Sequence, residues 1–135
     1  YNSCSFIATQ DLGKVNPNGN FEVLGREKDR DIGTVRDFAM LNDTLYCASN
    51  LGLYVFVDNA FKQISPANQV VYNIEIDQYN VLWYGTESGL FRYKNGKVSK
   101  VNLLNDLGSN YTNFLNFRNG KMFVGTNNGL FIFGR

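Results

Sequence analysis

The sequence predicts an all-β fold assembled from copies of one short antiparallel unit, and three features of the chain carry that expectation. One motif recurs at intervals of 37 and 40 residues, marked by Gly52, Gly89 and Gly129. Apolar and polar residues alternate with period two around each marker, as in strands whose successive side chains face opposite sides of a sheet. Asn-Gly pairs at 95–96 and 119–120 sit between alternating runs, where both residues tolerate the positive φ of a two-residue hairpin turn.

The three copies of the motif read TLYCASNLGLYVF at 44–56, VLWYGTESGLFRY at 81–93 and KMFVGTNNGLFIF at 121–133. A weaker copy starts the chain, where FIATQD at 6–11 sets Ala8 and Thr9 forty residues before Ala48 and Ser49. In the clearest unit, Tyr72–Asp77, Val81–Thr86, Leu90–Tyr93 and Val98–Leu103 read as four successive strands, with a turn around Gln78–Asn80. Four short antiparallel strands in fewer than forty-one residues match the spacing of a β-propeller blade. No segment shows the longer 3.6-residue periodicity that helical repeats need.

About three and a half blades are expected in one propeller domain: a partial, degenerate blade over 1–33, blades over 34–70 and 71–110, and an incomplete blade over 111–135. A closed propeller has about four to eight blades. The expectation is therefore a part of a larger propeller, or a chain that closes by self-association.

Packing around an axis explains the residue types. Tyr46, Trp83 and Phe123 occupy matching second-strand positions, where a large flat side chain fills the wedge between neighbouring blades. Ala48, Gly85 and Gly125, two places on, let an adjacent strand approach closely. The glycine before each Leu is expected at positive φ.

Composition narrows the function classes. Thirteen Lys and Arg against twelve Asp and Glu leave a net charge of +1, with no cluster of like charge. Nucleic acid and anionic membrane are poor partners for such a chain. Apolar runs such as Val81–Tyr84 fall far short of a membrane span. Cys4 and Cys47 have no metal-site spacing and permit one disulfide without requiring it. The absence of histidine removes Ser-His-Asp, Cys-His and histidine-metal chemistry. Among the carboxylates, Asp29 and Asp31 lie in the charged stretch GREKDRD at 25–31, and Asp43, Asp77 and Asp106 read as turn residues. The expectation is a binding module with no cofactor, not an enzyme.

Residues 73–98, NIEIDQYNVLWYGTESGLFRYKNGKV, resemble the two-component regulator propeller repeat, usually Ile-x-x-Asp-x-x-Gly-x-Leu-Trp-x-Gly-Thr-x-x-Gly-Leu-x-x-Tyr. Asn80 stands where that pattern has Gly. The unit at 111–133 keeps Gly-Thr-x-x-Gly-Leu with Phe123 for Trp, and the unit at 34–57 has Ala-Ser for Gly-Thr. The resemblance implies a periplasmic sensor region of a bacterial hybrid two-component regulator, of the kind found in gut Bacteroidetes, whose ligands tend to be polysaccharide fragments.

In a propeller, the loop joining strands two and three shares a face with the entry into strand one. That face places Asn50, Glu87, Ser88, Asn127 and Asn128 from the loops beside Arg36, Tyr72, Asn73, Tyr111 and Asn113 from the entries. Tyrosine and amide side chains together suit an oligosaccharide, since a ring stacks on the apolar face of a sugar while amides meet its hydroxyls. The alternative expectation is a protein-interaction scaffold whose partner is another copy of itself.

Overall fold

The computed structural model describes residues 32–66, 68–102 and 111–134. Cys4, the copy at 6–11, the charged stretch at 25–31 and Asp106 lie outside the described residues.

The described chain forms eleven strands in three antiparallel sheets that do not close into a barrel. The first sheet holds β1 (Val35–Leu41), β2 (Thr44–Ser49), β3 (Gly52–Val57) and β4 (Ala60–Gln63) in sequence order. The second holds β5 (Val71–Ile76), β6 (Leu82–Thr86), β7 (Gly89–Lys94) and β8 (Lys97–Val101) in the same order. The third holds β9 (Thr112–Arg118), β10 (Lys121–Thr126) and β11 (Gly129–Gly134).

Hairpin chemistry sets these connections. Asn95-Gly96 and Asn119-Gly120 have φ of 52° and 76°, and 52° and 77°. Asn42-Asp43 and Asp58-Asn59 take the same conformation without glycine, at 52° and 63°, and 55° and 63°. Asn and Asp reach this region more readily than other non-glycine residues, which is why they serve there. Gly52, Gly89 and Gly129 all have positive φ, as the motif predicts.

The longer β5–β6 turn depends on Asp77. Its Oδ1 accepts the amides of Tyr79 (2.8 Å) and Val81 (2.9 Å), while Oδ2 accepts Trp83 Nε1 (2.9 Å). Asp77 thus closes the turn and fixes the indole with one carboxylate, and Asn80 completes the turn at φ 63°. The charge-assisted bonds are stronger than neutral ones.

Sheets pack face on opposite face, with first strands adjoining: β1 lies against β5, and β5 against β9. One core joins Ala48 and Leu53 of the first sheet to Ile74, Leu82 and Tyr84 of the second, with Val71 at its edge. The next joins Leu90 of the second sheet to Leu115, Met122 and Val124 of the third. The motif aromatics lie in these seams: Tyr46 meets Tyr93 at 6.0 Å, and Trp83 meets Phe117 edge-on at 5.8 Å. Arg92 lies 5.3 Å over the indole ring. Phe123, in the third sheet, lies on a face with no described sheet beyond it.

Gly85 shows how closely two sheets approach. A Cβ there would lie 2.7 Å from Thr112 Cγ2 and from the Thr112 carbonyl oxygen, and 2.8 Å from Asn73 Oδ1. Any larger side chain would push the second and third sheets apart.

Tyr84 is wholly buried and its hydroxyl has no hydrogen-bond partner among the described residues. Its ring stacks on Phe91 at 5.4 Å, a contact that does not involve the hydroxyl. Leaving a buried hydroxyl unpaired costs about 1–3 kcal/mol. Tyr84→Phe is therefore expected to raise unfolding free energy by about 1 kcal/mol in chemical denaturation. A loss of stability would show that the hydroxyl is paired.

Candidate functional site

All three sheets carry the same irregularity at the same end. Each first strand has one residue more than its neighbour between consecutive paired positions: Arg36 in β1, Tyr72 in β5 and Asn113 in β9. A bulge of this kind bends the strand and re-aims the side chain it carries. The periodicity in the sequence contains its trace. Val71 and Ile74 both enter the core, three residues apart, where an unbroken strand would place same-face residues two or four apart. Thr112 and Leu115 are both buried at the same spacing.

Beside each bulge lies the turn between the second and third strands, held by the Thr or Ser of the motif. Thr86 Oγ1 donates to the Gly89 carbonyl and accepts the Ser88 amide, both at 2.9 Å. Thr126 does the same with Gly129 (2.9 Å) and Asn128 (3.0 Å). Ser49 bonds Gly52 (3.3 Å) and Leu51 (3.0 Å). The hydroxyl-bearing residue is thus a turn stitch, a role that spacing alone leaves open.

The first turn residue then ties the turn to the entry of the first strand. Asn50 Oδ1 accepts the Thr34 amide at 2.7 Å, and Glu87 Oε1 accepts the Val70 amide at 2.9 Å. Asn50 and Glu87, both expected on the binding face, are at that face but hold its frame together. Asn73 is placed differently again. It is 9% exposed and turned toward Gly85 between the sheets, so it does not line the surface.

Arg36, Tyr72 and Tyr111 come together as one array across all three sheets. The phenol rings stack at 5.3 Å with an angle of 27°, their hydroxyls bonded at 2.5 Å, and the Arg36 guanidinium lies 5.4 Å from the Tyr72 ring centroid. Tyr72 therefore has a cation from the first sheet and a phenol from the entry to the third against its ring. It offers a ligand its hydroxyl edge more than a stacking surface. Arg36, Ser88, Asn113, Asn127 and Asn128 are exposed around the array, and Tyr111 is half-buried.

The surroundings of Tyr72 hold its phenol protonated. The bond to Tyr111 is the main reason that Tyr72 is pushed up from 10.0 to about 12, with burial and the nearby Tyr111 and Glu87 adding to it and Arg36 opposing it. Near the same end, Asp37 bridges two first strands: its Oδ1 accepts the Phe38 amide (2.8 Å) and its Oδ2 the Ile74 amide (3.0 Å). Cys47 has a free, buried thiol, which burial and the Asp37 charge push up from 9.0 to about 11.

These features define a protein of stacked antiparallel sheets whose bulged first strands and stitched turns build a shared polar rim. No protein-family model and no curated protein matches the chain. Solved structures do. PorZ, described as an essential bacterial surface component of the type-IX secretion system of Porphyromonas gingivalis, matches with TM-score 0.61 and 21% identity over 75% of this chain. The extracellular domain of a putative hybrid two-component system from B. thetaiotaomicron matches with TM-score 0.60 and 22% identity over 74% of this chain. The matches span 17% and 14% of those two chains. The likeness is one of fold, and its second example belongs to the class of protein that the repeat motif resembles.

Tyr72 and Cys47 set an alkaline limit. A group whose folded pKa lies above its unfolded value contributes stability that is complete below the unfolded pKa and is lost as pH rises through the folded one. Unfolding free energy should therefore fall from about pH 9, where unfolded cysteine ionises, to about pH 12, where folded Tyr72 does. Denaturation midpoints that stay level across that range would contradict these assignments.

Proposed function

We propose that the three sheets are consecutive blades of a β-propeller in the extracytoplasmic sensing part of a two-component receptor, and that the bulged rim binds a hydroxylated ligand of the oligosaccharide class. The Arg36–Tyr72–Tyr111 array carries this reading. It joins all three sheets at one end, and it sets guanidinium donors and a phenol edge among exposed amide and hydroxyl side chains. Such groups satisfy ligand hydroxyls in several directions. The structural likeness to an extracellular domain of a hybrid two-component system supports the extracytoplasmic placement.

The binding is non-catalytic in this reading. The carboxylates beside the inner strands serve the fold: Asp37 holds two backbone amides, Asp77 holds two amides and an indole, and Glu87 holds the Val70 amide. Acid–base work needs a carboxylate placed to exchange a proton with a substrate.

Titration calorimetry with a panel of oligosaccharides tests the proposal. Arg36→Ala and Tyr111→Ala are each expected to weaken the best ligand about tenfold, which is the effect of losing about 1.4 kcal/mol of contact. Affinity unchanged by both substitutions would remove the rim as the site, and a panel without any binder would remove the saccharide class.

A further inference from the structure

We infer that Asp37 is a positioning residue for the rim, whose carboxylate holds the neighbouring Arg36 over the ring of Tyr72. Arg36 is the bulge residue of β1. The ladder passes from Val35, paired with Ser49, to Asp37, paired with Ala48, and leaves Arg36 without a partner of its own. Its side chain is exposed, yet its guanidinium lies 5.4 Å from the centroid of a ring in the next sheet. A long side chain loses rotamer freedom when it takes one place, and a cation over a ring at an exposed site is a weak contact. The backbone that carries Arg36 must therefore be aimed already.

Asp37 supplies that aim. Its Oδ1 accepts the Phe38 amide on its own strand at 2.8 Å, and its Oδ2 accepts the Ile74 amide on β5 at 3.0 Å. The carboxylate ties the residue after one bulge to the residue two places after the next bulge, which is Tyr72. Bonds to a carboxylate are shorter and stronger than neutral ones, so this tie is a firm one. Each oxygen holds an amide, and Asp37 acts on a ligand only through where it sets Arg36.

The second seam is the comparison. Asn73 has the register of Asp37, paired with Gly85 as Asp37 is with Ala48. Its Oδ1 has no hydrogen-bond partner among the described residues, so it does not hold the amide of Leu115, which matches Ile74. At the seam with the carboxylate tie, the ring of Tyr72 takes the bulge residue of the preceding sheet. At the seam without it, the ring takes Tyr111, two residues before the bulge at Asn113, and Asn113 is exposed.

The consequence for ligand affinity rests on the proposed function, whereas the placement of Arg36 is tested without a ligand. Side-chain protons held over a ring resonate upfield, so NMR spectra of the full chain read the position of Arg36. Asp37→Ala is expected to remove that upfield shift, and Asp37→Asn, which leaves one acceptor for two amides, to reduce it. Met122→Ala, a core truncation in the third sheet, is expected to leave it intact. A shift that Asp37→Ala keeps would overturn the inference, and if that variant does not fold, Asp37→Asn decides in the same way. Loss of the shift in Met122→Ala would also overturn it, because the shift would then follow stability rather than position. With an oligosaccharide that binds, Asp37→Ala is expected to weaken affinity about tenfold and to add nothing in an Arg36→Ala background. Equal losses in both backgrounds would contradict action through Arg36. A chain that binds no oligosaccharide removes the proposed function and leaves the NMR result to decide the role of Asp37.

Discussion

The structure depends on the contact of each sheet's face with the opposite face of the next. No sheet here can bury both faces by itself, since three or four short strands form a thin layer with apolar residues on either side. Stacking solves this by giving the two faces different shapes. One carries the small residue at Ala48, Gly85 and Gly125 with the Leu beyond it, and the other carries the apolar residues of the first two strands. At Gly85 the fit is so close that Thr112 occupies the space a side chain would need. Burying one Leu or Ile at such a seam contributes about 1.5–3 kcal/mol, so a few residues per seam set the stability of the stack.

That contact also divides the unit into a frame repeated from sheet to sheet and a surface whose residues differ between the sheets. At the rim end, the Thr or Ser hydroxyl and the first turn residue satisfy backbone groups that would otherwise be exposed at the strand entry. The bulge residue is then free of the ladder and of the core. Arg36, Tyr72 and Asn113 share one backbone position and have three different chemistries. At the other end, turns built on Asn, Asp and Gly close the strands with local hydrogen bonds. Asp77 links that end to the seam through the indole of Trp83.

Much of this was legible in the sequence, and the reasons are physical. Strand number and turn position follow from alternation and from residues that accept positive φ. The wedge role of Tyr46 and Trp83 follows from size at a repeated position, and the turn role of Asp77 from the chemistry of Asp before a tight turn. The residues named from the repeat do gather at one end of the sheets, but the structural roles of several of them were not legible. Asn50 and Glu87 hold the Thr34 and Val70 amides across 16 and 17 residues of chain, a pairing that exists only once the turn meets the strand entry, and Asn73 lies between sheets because the bulge at Tyr72 shifts the alternation after it. The stacked phenols pair residues 39 apart, and the carboxylate bridge from Asp37 to the Ile74 amide spans 37. Neither pairing leaves a local signature, since each exists only once the first strands adjoin.

The most direct test of the central contact is to compare Leu53→Ala, Leu90→Ala and Leu130→Ala by chemical denaturation. The three residues have the same place in the unit and differ only in whether a following sheet covers them. The account predicts losses of about 2–5 kcal/mol for the first two and less than about 0.5 kcal/mol for Leu130. Equal losses at all three positions would show that burial comes from within each sheet, and would contradict the stacking of one sheet on the next.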